Sequence, residues 1–79
     1  MYFTYLLRSE KDKSYYTGIT SDLRRRLDEH NSGTQRYSRA RYPFKLVWFC
    51  AFPKKSQALE FESYLKTGSG IAFRNKHLL

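Results

Sequence analysis

The spacing of apolar and polar positions changes period several times along the chain, and each change marks an element. Residues 2–8 alternate in part and are rich in Tyr and Phe, the polar stretch Ser9 to Ser14 turns the chain, and 15–20 returns as a second strand. A β-hairpin is predicted. Leu23 and Leu27 then lie four apart, the period of a helix running from Asp22 to about Asn31. Thr20 or Ser21 is expected to cap it, Asp22 suits the positive end of its dipole, and Gly33 is the stop signal. Beyond a loop closed by Pro43, Phe44 to Phe52 reads as a third strand ended by Pro53. Ser56 is expected to cap a second helix reaching about Thr67, before Gly68-Ser69-Gly70, and Ile71 to Leu79 reads as helix or coil. Together these elements predict an α/β (α+β) domain with a small three-stranded, at least partly antiparallel sheet flanked by helices.

The chain's 79 residues allow one domain, 1–79, with a modest core, and an aromatic content of 18% partly offsets the short length. A single Cys50 excludes an intramolecular disulfide and a Cys-based zinc site, which fits a reducing, cytoplasmic setting. The longest apolar run, Leu46 to Phe52, is far shorter than the roughly 20 residues a membrane helix needs. Arg8 interrupts the N-terminal segment too early for a secretion signal. No membrane partner is expected.

Charge changes the picture more than length does. Fifteen Lys and Arg against seven Asp and Glu give a net charge of +8. Between Thr34 and Lys45 stand Arg36, Arg39, Arg41 and Lys45 with Tyr37, Tyr42 and Phe44 interleaved and no acidic residue. Cations release counterions from a phosphate backbone and aromatic faces stack on unpaired bases, so the segment suits nucleic acid. A solvated basic loop is the simpler alternative.

Polar groups at positions where packing favours apolar ones carry the candidate chemistry. Arg26 and His30 lie four apart and border the Leu23–Leu27 stripe, so they face together. Glu62 falls among Ala58, Leu59 and Leu65 on the inward side of the second helix. A carboxylate there must be paired, hydrogen-bonded or metal-bound. Each residue also has an ordinary structural explanation: Tyr5 and Tyr16 as strand aromatics, His30 as a complement to a helix C-terminus, Glu62 in an ion pair with Arg26 or Lys66. Their conjunction with a basic, aromatic loop points to a site.

Phe3-Thr4-Tyr5, Tyr16-Thr17-Gly18, the run Asp22-Leu23-Arg24-Arg25-Arg26-Leu27, His30 and Glu62 together resemble a GIY-YIG nuclease domain. The resemblance is to the small stand-alone kind related to the N-terminal module of the excision-repair subunit UvrC, and it covers nearly the whole chain. Phe3 and Thr4 replace the glycine and isoleucine of the first triplet, and Thr17 replaces the isoleucine of the second. It implies a metal-dependent endonuclease acting on DNA in repair or processing, with RNA left open. One small module leaves little surface for sequence readout and Tyr37, Tyr42 and Phe44 can stack bases, so structure-selective or single-strand-preferring cutting is expected, and the small core allows a protein partner or homodimer. Tyr5, Tyr16, Arg26, His30 and Glu62 are the implied catalytic set, with Glu62 holding one Mg²⁺ or Mn²⁺ ion. A hard oxygen ligand suits such a cation, and a permanently charged guanidinium suits the phosphate. His30 is expected to exchange a proton near neutral pH. Either tyrosine could serve as base. Asn75 is the candidate for the family's late asparagine, and Arg24, Arg25, Arg36, Tyr37, Arg39 and Arg41 are candidate nucleic-acid contacts. The rival reading is a catalytically silent nucleic-acid-binding module that works through residues 34–45.

Overall fold

The chain reverses between its first two strands through bonds that polar side chains make to nearby backbone. Ser9 Oγ accepts from the backbone N–H groups of Lys11 and Asp12, Asp12 Oδ1 accepts from that of Ser14, and Lys13 adopts φ 65°. Strand β1 (Tyr2–Ser9) thereby meets β2 (Tyr15–Thr20) antiparallel, with Tyr5 opposite Gly18 and Leu7 opposite Tyr16. The computed structural model describes residues 1–33, 35–36 and 39–79.

Strand β3 (Phe44–Phe52) pairs with the other side of β1, again antiparallel, so the order is β2-β1-β3. The predicted sheet is present, and both its pairings are antiparallel. Leu6 faces Trp48 while Leu7 faces Leu46, which leaves Val47 as an extra residue on β3. β1 is the central strand, and Thr4, Tyr5, Leu6 and Leu7 are all buried.

Burial on both sides of β1 means that both faces of the sheet are covered. Successive strand residues point to opposite faces. Thr4 Oγ1 donates to the Ala58 carbonyl, 2.9 Å away on helix α2 (Lys55–Leu65), while the Tyr5 hydroxyl meets His30 and Arg26 of helix α1 (Leu23–Asn31). The two helices therefore lie on opposite faces. Under α1, Tyr5, Leu7 and Phe44 form a core with Tyr16, Leu23, Leu27 and Leu46. Under α2, Ala58 and Leu65 are buried and Phe61 packs on Trp48 and Phe52. Thr4 also explains one departure from the family triplet: its hydroxyl ties α2 to the sheet. Phe3 explains the other by packing edge-on against Phe49, 6.0 Å between ring centroids.

Helix ends differ from expectation where several candidate caps compete. Asp22, rather than Thr20 or Ser21, caps α1, its carboxylate accepting from the Arg25 N–H at 3.0 Å. Thr20 instead accepts from the Asp22 N–H. α2 begins one residue before Ser56, with Lys54 at the cap position and the Gln57 side chain accepting from its N–H. Leu59 is exposed, and Phe61 takes the inward place assigned to it. Gly68-Ser69-Gly70 does not interrupt helix but opens α3 (Gly68–His77), capped by Thr67, which accepts from the Gly70 N–H. Gly70 is buried so closely that a Cβ there would lie 1.7 Å from the Tyr64 carbonyl oxygen. Glycine at this point is a packing requirement of the α2–α3 joint, which outweighs its low helix propensity.

Candidate active site at the edge of the sheet

Tyr5 projects from the central strand across Gly18, its partner on the edge strand β2. A Cβ on Gly18 would lie 2.5 Å from the Tyr5 hydroxyl oxygen and 3.1 Å from the Tyr16 ring. The missing side chain is what lets the hydroxyl reach outward over the strand. There it accepts from Arg26 Nε at 3.3 Å and lies 3.2 Å from His30 Nε2. The helical spacing of Arg26 and His30 thus brings both to one oxygen, as predicted.

Tyr16, Phe44 and Glu29 complete the surroundings. The Tyr16 ring centroid is 4.8 Å from that of His30 and 6.3 Å from that of Tyr5, and Phe44 packs edge-on to the imidazole at 5.7 Å. His30 is fully buried. That burial first, and then the charge of Arg26, push its pKa down to about 4, against a smaller opposing effect of Glu29. Proton exchange near neutral pH, the behaviour expected of a free histidine, is therefore replaced by a neutral imidazole. Glu29 Oε1 accepts from Arg26 at 3.1 Å and fixes the guanidinium. The i,i+3 spacing of Arg26 and Glu29 was the available signal for that pair. Asn31 clamps the start of β3: its side chain accepts from the Phe44 N–H and donates to the Phe44 carbonyl.

Glu62 is carried by α2, the helix that covers the other face. It lies on the stripe of Ala58 and Leu65, its side chain is 19% exposed, and it pairs with Lys66 at 3.4 Å. The inward placement expected of it is found, with Lys66 rather than Arg26 as its partner. No group of three or more His, Cys, Asp or Glu able to hold a metal occurs among the described residues. A lone carboxylate still fits Mg²⁺, which keeps several waters and completes its shell with substrate phosphate oxygens.

The remaining candidates divide into exposed cations and structural groups. Arg36 and Arg39 are exposed, and Tyr37 lies outside the described residues. Arg41 is half-buried and donates to Ser14 Oγ at 3.0 Å, bracing the hairpin turn. Phe44 is 4% exposed, so the base-stacking role expected of it gives way to packing on His30. Tyr42 remains exposed. Asn75 is exposed on α3, where its Oδ1 accepts from Arg74. Arg24 and Arg25 line a hollow on the outer side of α1 together with Asp22, Asp28 and Glu29, a mixed surface with no preference for anions.

A second hollow, of about 300 Å³, is more selective. It opens at the Thr20 end of β2 and sets Arg25, Arg26 and Lys55 against the single carboxylate of Glu29. Lys55 belongs to α2, so cations from both sides of the sheet meet beyond the strand edge. Sequence spacing alone gives no sign of this juxtaposition, since it depends on the chain crossing the sheet.

Similarity to other proteins bears on the family and the fold. Residues 1–73 match the GIY-YIG catalytic domain. A UPF0213 protein of Halalkalibacterium halodurans is 44% identical over 66 residues, 82% of this chain and 69% of the relative. One from Streptococcus pneumoniae is 49% identical over 57 residues, 71% of this chain and 58% of the relative. The chain thus spans little more than half of that second protein. The solution NMR structure of a UPF0213 protein from Bacillus halodurans superposes with a TM-score of 0.58 at 38% identity, covering 96% of this chain and 82% of that one. With the family model matched over residues 1–73 and relatives at 44% and 49% identity, the chain belongs to the GIY-YIG catalytic-domain family.

Proposed function

We propose that this chain is an endonuclease that hydrolyses phosphodiester bonds of nucleic acid along the outer edge of β2, with a divalent metal held by Glu62. The observation that carries this reading is the Arg26–Tyr5–His30 chain of hydrogen bonds, built over the bare backbone of Gly18. A packing role alone does not need an arginine and an un-ionised histidine on one buried hydroxyl.

Tyr5 is the tyrosine these neighbours equip to move a proton. Arg26 Nε donates to its oxygen and favours negative charge there, while His30, neutral at pH 7, accepts a hydrogen bond from the hydroxyl through Nε2 when Nδ1 carries the ring proton. With its own proton lost to solvent, Tyr5 as the phenolate takes a proton from the attacking water. Phosphorus gains the water oxygen and loses the leaving sugar oxygen, which departs with a proton from solvent. Arg26 faces the phosphate with a planar fork of donors, and Glu29 keeps that fork oriented. Glu62 and coordinated waters would hold Mg²⁺ or Mn²⁺, which supplies Lewis acidity to the phosphate oxygens when bound. Tyr16 packs on His30 and keeps the imidazole dry.

DNA is the proposed substrate, with single-stranded or branched forms favoured because exposed Tyr42 beside Arg39 and Arg36 offers stacking and charge without a groove-reading element. Such a preference suits a role in repair or processing. Labelled single- and double-stranded DNA incubated with Mg²⁺ or Mn²⁺ tests the assignment: native protein should cut, and chelation should stop it. A silent binding module would instead hold DNA without cutting, whatever the metal.

A further inference from the structure

The other end of β2 carries a second concave surface that the proposed reaction does not use. A groove of about 290 Å³ lies between the Tyr15 end of the strand and the α2–α3 joint, lined by Tyr15, Tyr16, Leu65, Lys66 and Arg74 among others. The Arg74 guanidinium sits over the Tyr15 ring, 4.9 Å from its centroid, and donates to Asn75 Oδ1 from Nε and Nη2 at 3.2 and 3.1 Å. No carboxylate pairs with Arg74 among the described residues. From Ser63 to Leu79 the sequence holds Lys66, Arg74 and Lys76 and no Asp or Glu, and Glu62 just before it pairs with Lys66 at 3.4 Å.

An arginine stacked on an aromatic ring and braced by an amide is already oriented, so little rotamer freedom is lost when it meets an anion. The groove shares Tyr16 with the candidate active site, and Tyr15 is three residues from Gly18, about 10 Å along an extended strand. A nucleic-acid strand passing Gly18 along the edge of β2 runs into Arg74. We infer that Arg74, with Lys66 beside it, binds a backbone phosphate flanking the scissile one and makes this groove a second nucleic-acid subsite. The inference rests on the reading of β2 as the substrate-binding edge. It assigns a role to the Arg74–Asn75 pair that is distinct from chemistry: Arg74 positions the strand.

The test separates binding from cleavage. Fluorescence anisotropy of a short labelled single-stranded DNA, in EDTA and between about 50 and 200 mM salt, compares native protein with Arg74→Gln and with Lys11→Gln on the hairpin turn. Arg74→Gln should bind several-fold more weakly at low salt and lower the slope of log K against log salt by about 0.7 to 1. Lys11→Gln should leave the slope unchanged. Arg74→Lys, which keeps the charge, should restore most of it. A merely structural role for Arg74 would move the melting temperature but not the salt slope. Native slope in Arg74→Gln overturns the inference alone, even if the native protein cuts DNA. Binding with the expected slope change but no cleavage supports the subsite and sinks the nuclease reading, and absence of any binding overturns both.

Discussion

The two faces of the sheet hold their functional groups in different ways. On the α1 face, Tyr5, Arg26, Glu29 and His30 are linked by hydrogen bonds, and the imidazole is packed against Tyr16 and Phe44. On the α2 face, Glu62 reaches solvent and is held by Lys66, whose side chain is 57% exposed. In the first arrangement, Tyr5 and His30 are buried while Arg26 and Glu29 reach solvent; the second is exchangeable, because a surface ion pair is worth only about 0–1 kcal/mol. Proton movement benefits from a fixed, water-excluded geometry, whereas a metal site completed by waters and phosphate oxygens must open to receive them.

Substitutions on the two faces should therefore fail differently. The largest effect is expected for Glu62→Gln, with loss of cleavage by about 100-fold or more and an unfolding midpoint close to native. Equal loss of stability and activity would mean that Glu62 acts in packing. Next come the two glycines. Gly70→Ala and Gly18→Ala should each destabilise by about 1–3 kcal/mol in urea unfolding, from overpacking against the Tyr64 carbonyl and the Tyr5 hydroxyl respectively. Gly18→Ala should in addition abolish cleavage at a temperature where the protein remains folded, while Gly70→Ala should retain it. Tyr5→Phe removes the oxygen shared by Arg26 and His30, and should cost about 1–3 kcal/mol along with activity.

Acid should weaken the α1 face first. With its folded pKa at about 4 against an ordinary value near 6.5, His30 binds its proton more readily in the unfolded chain. Its contribution to stability is thus present above pH 6.5 and is lost as pH falls toward 4, with a slope of about 1 kcal/mol per pH unit at most. Urea midpoints measured from pH 7 to 4.5 should fall in native protein and fall less in a His30→Gln variant. The smallest effect belongs to Lys66→Ala, expected to change stability by less than about 1 kcal/mol.

How much of this was legible in the sequence depended on the range of the interactions. Arg26 and His30 could be placed together because a helix fixes their spacing, and β1, β2 and β3 could be placed by their aromatic and apolar runs. Glu62 was legible as an inward carboxylate for the same reason. The caps were less so: Thr20, Ser21 and Asp22 are all competent, and tertiary geometry chose Asp22. Phe44 carried no local mark distinguishing a core ring from an exposed one, and its burial on His30 follows from β3 crossing beside β1. The tight contact of Gly70 on Tyr64, the Arg74–Tyr15 stack and the meeting of Lys55 with Arg26 likewise exist only once α2 and α3 have packed.

The central claim is that groups on opposite faces of the sheet serve one reaction. Initial rates of DNA cleavage by native protein, Arg26→Lys, Glu62→Gln and the double variant, in excess Mn²⁺, test it directly. If Arg26 and Glu62 act on the same phosphate, each single variant should lose most activity and the double should be little worse than the poorer single. Native rates in either single variant, or losses that multiply in the double, would contradict it.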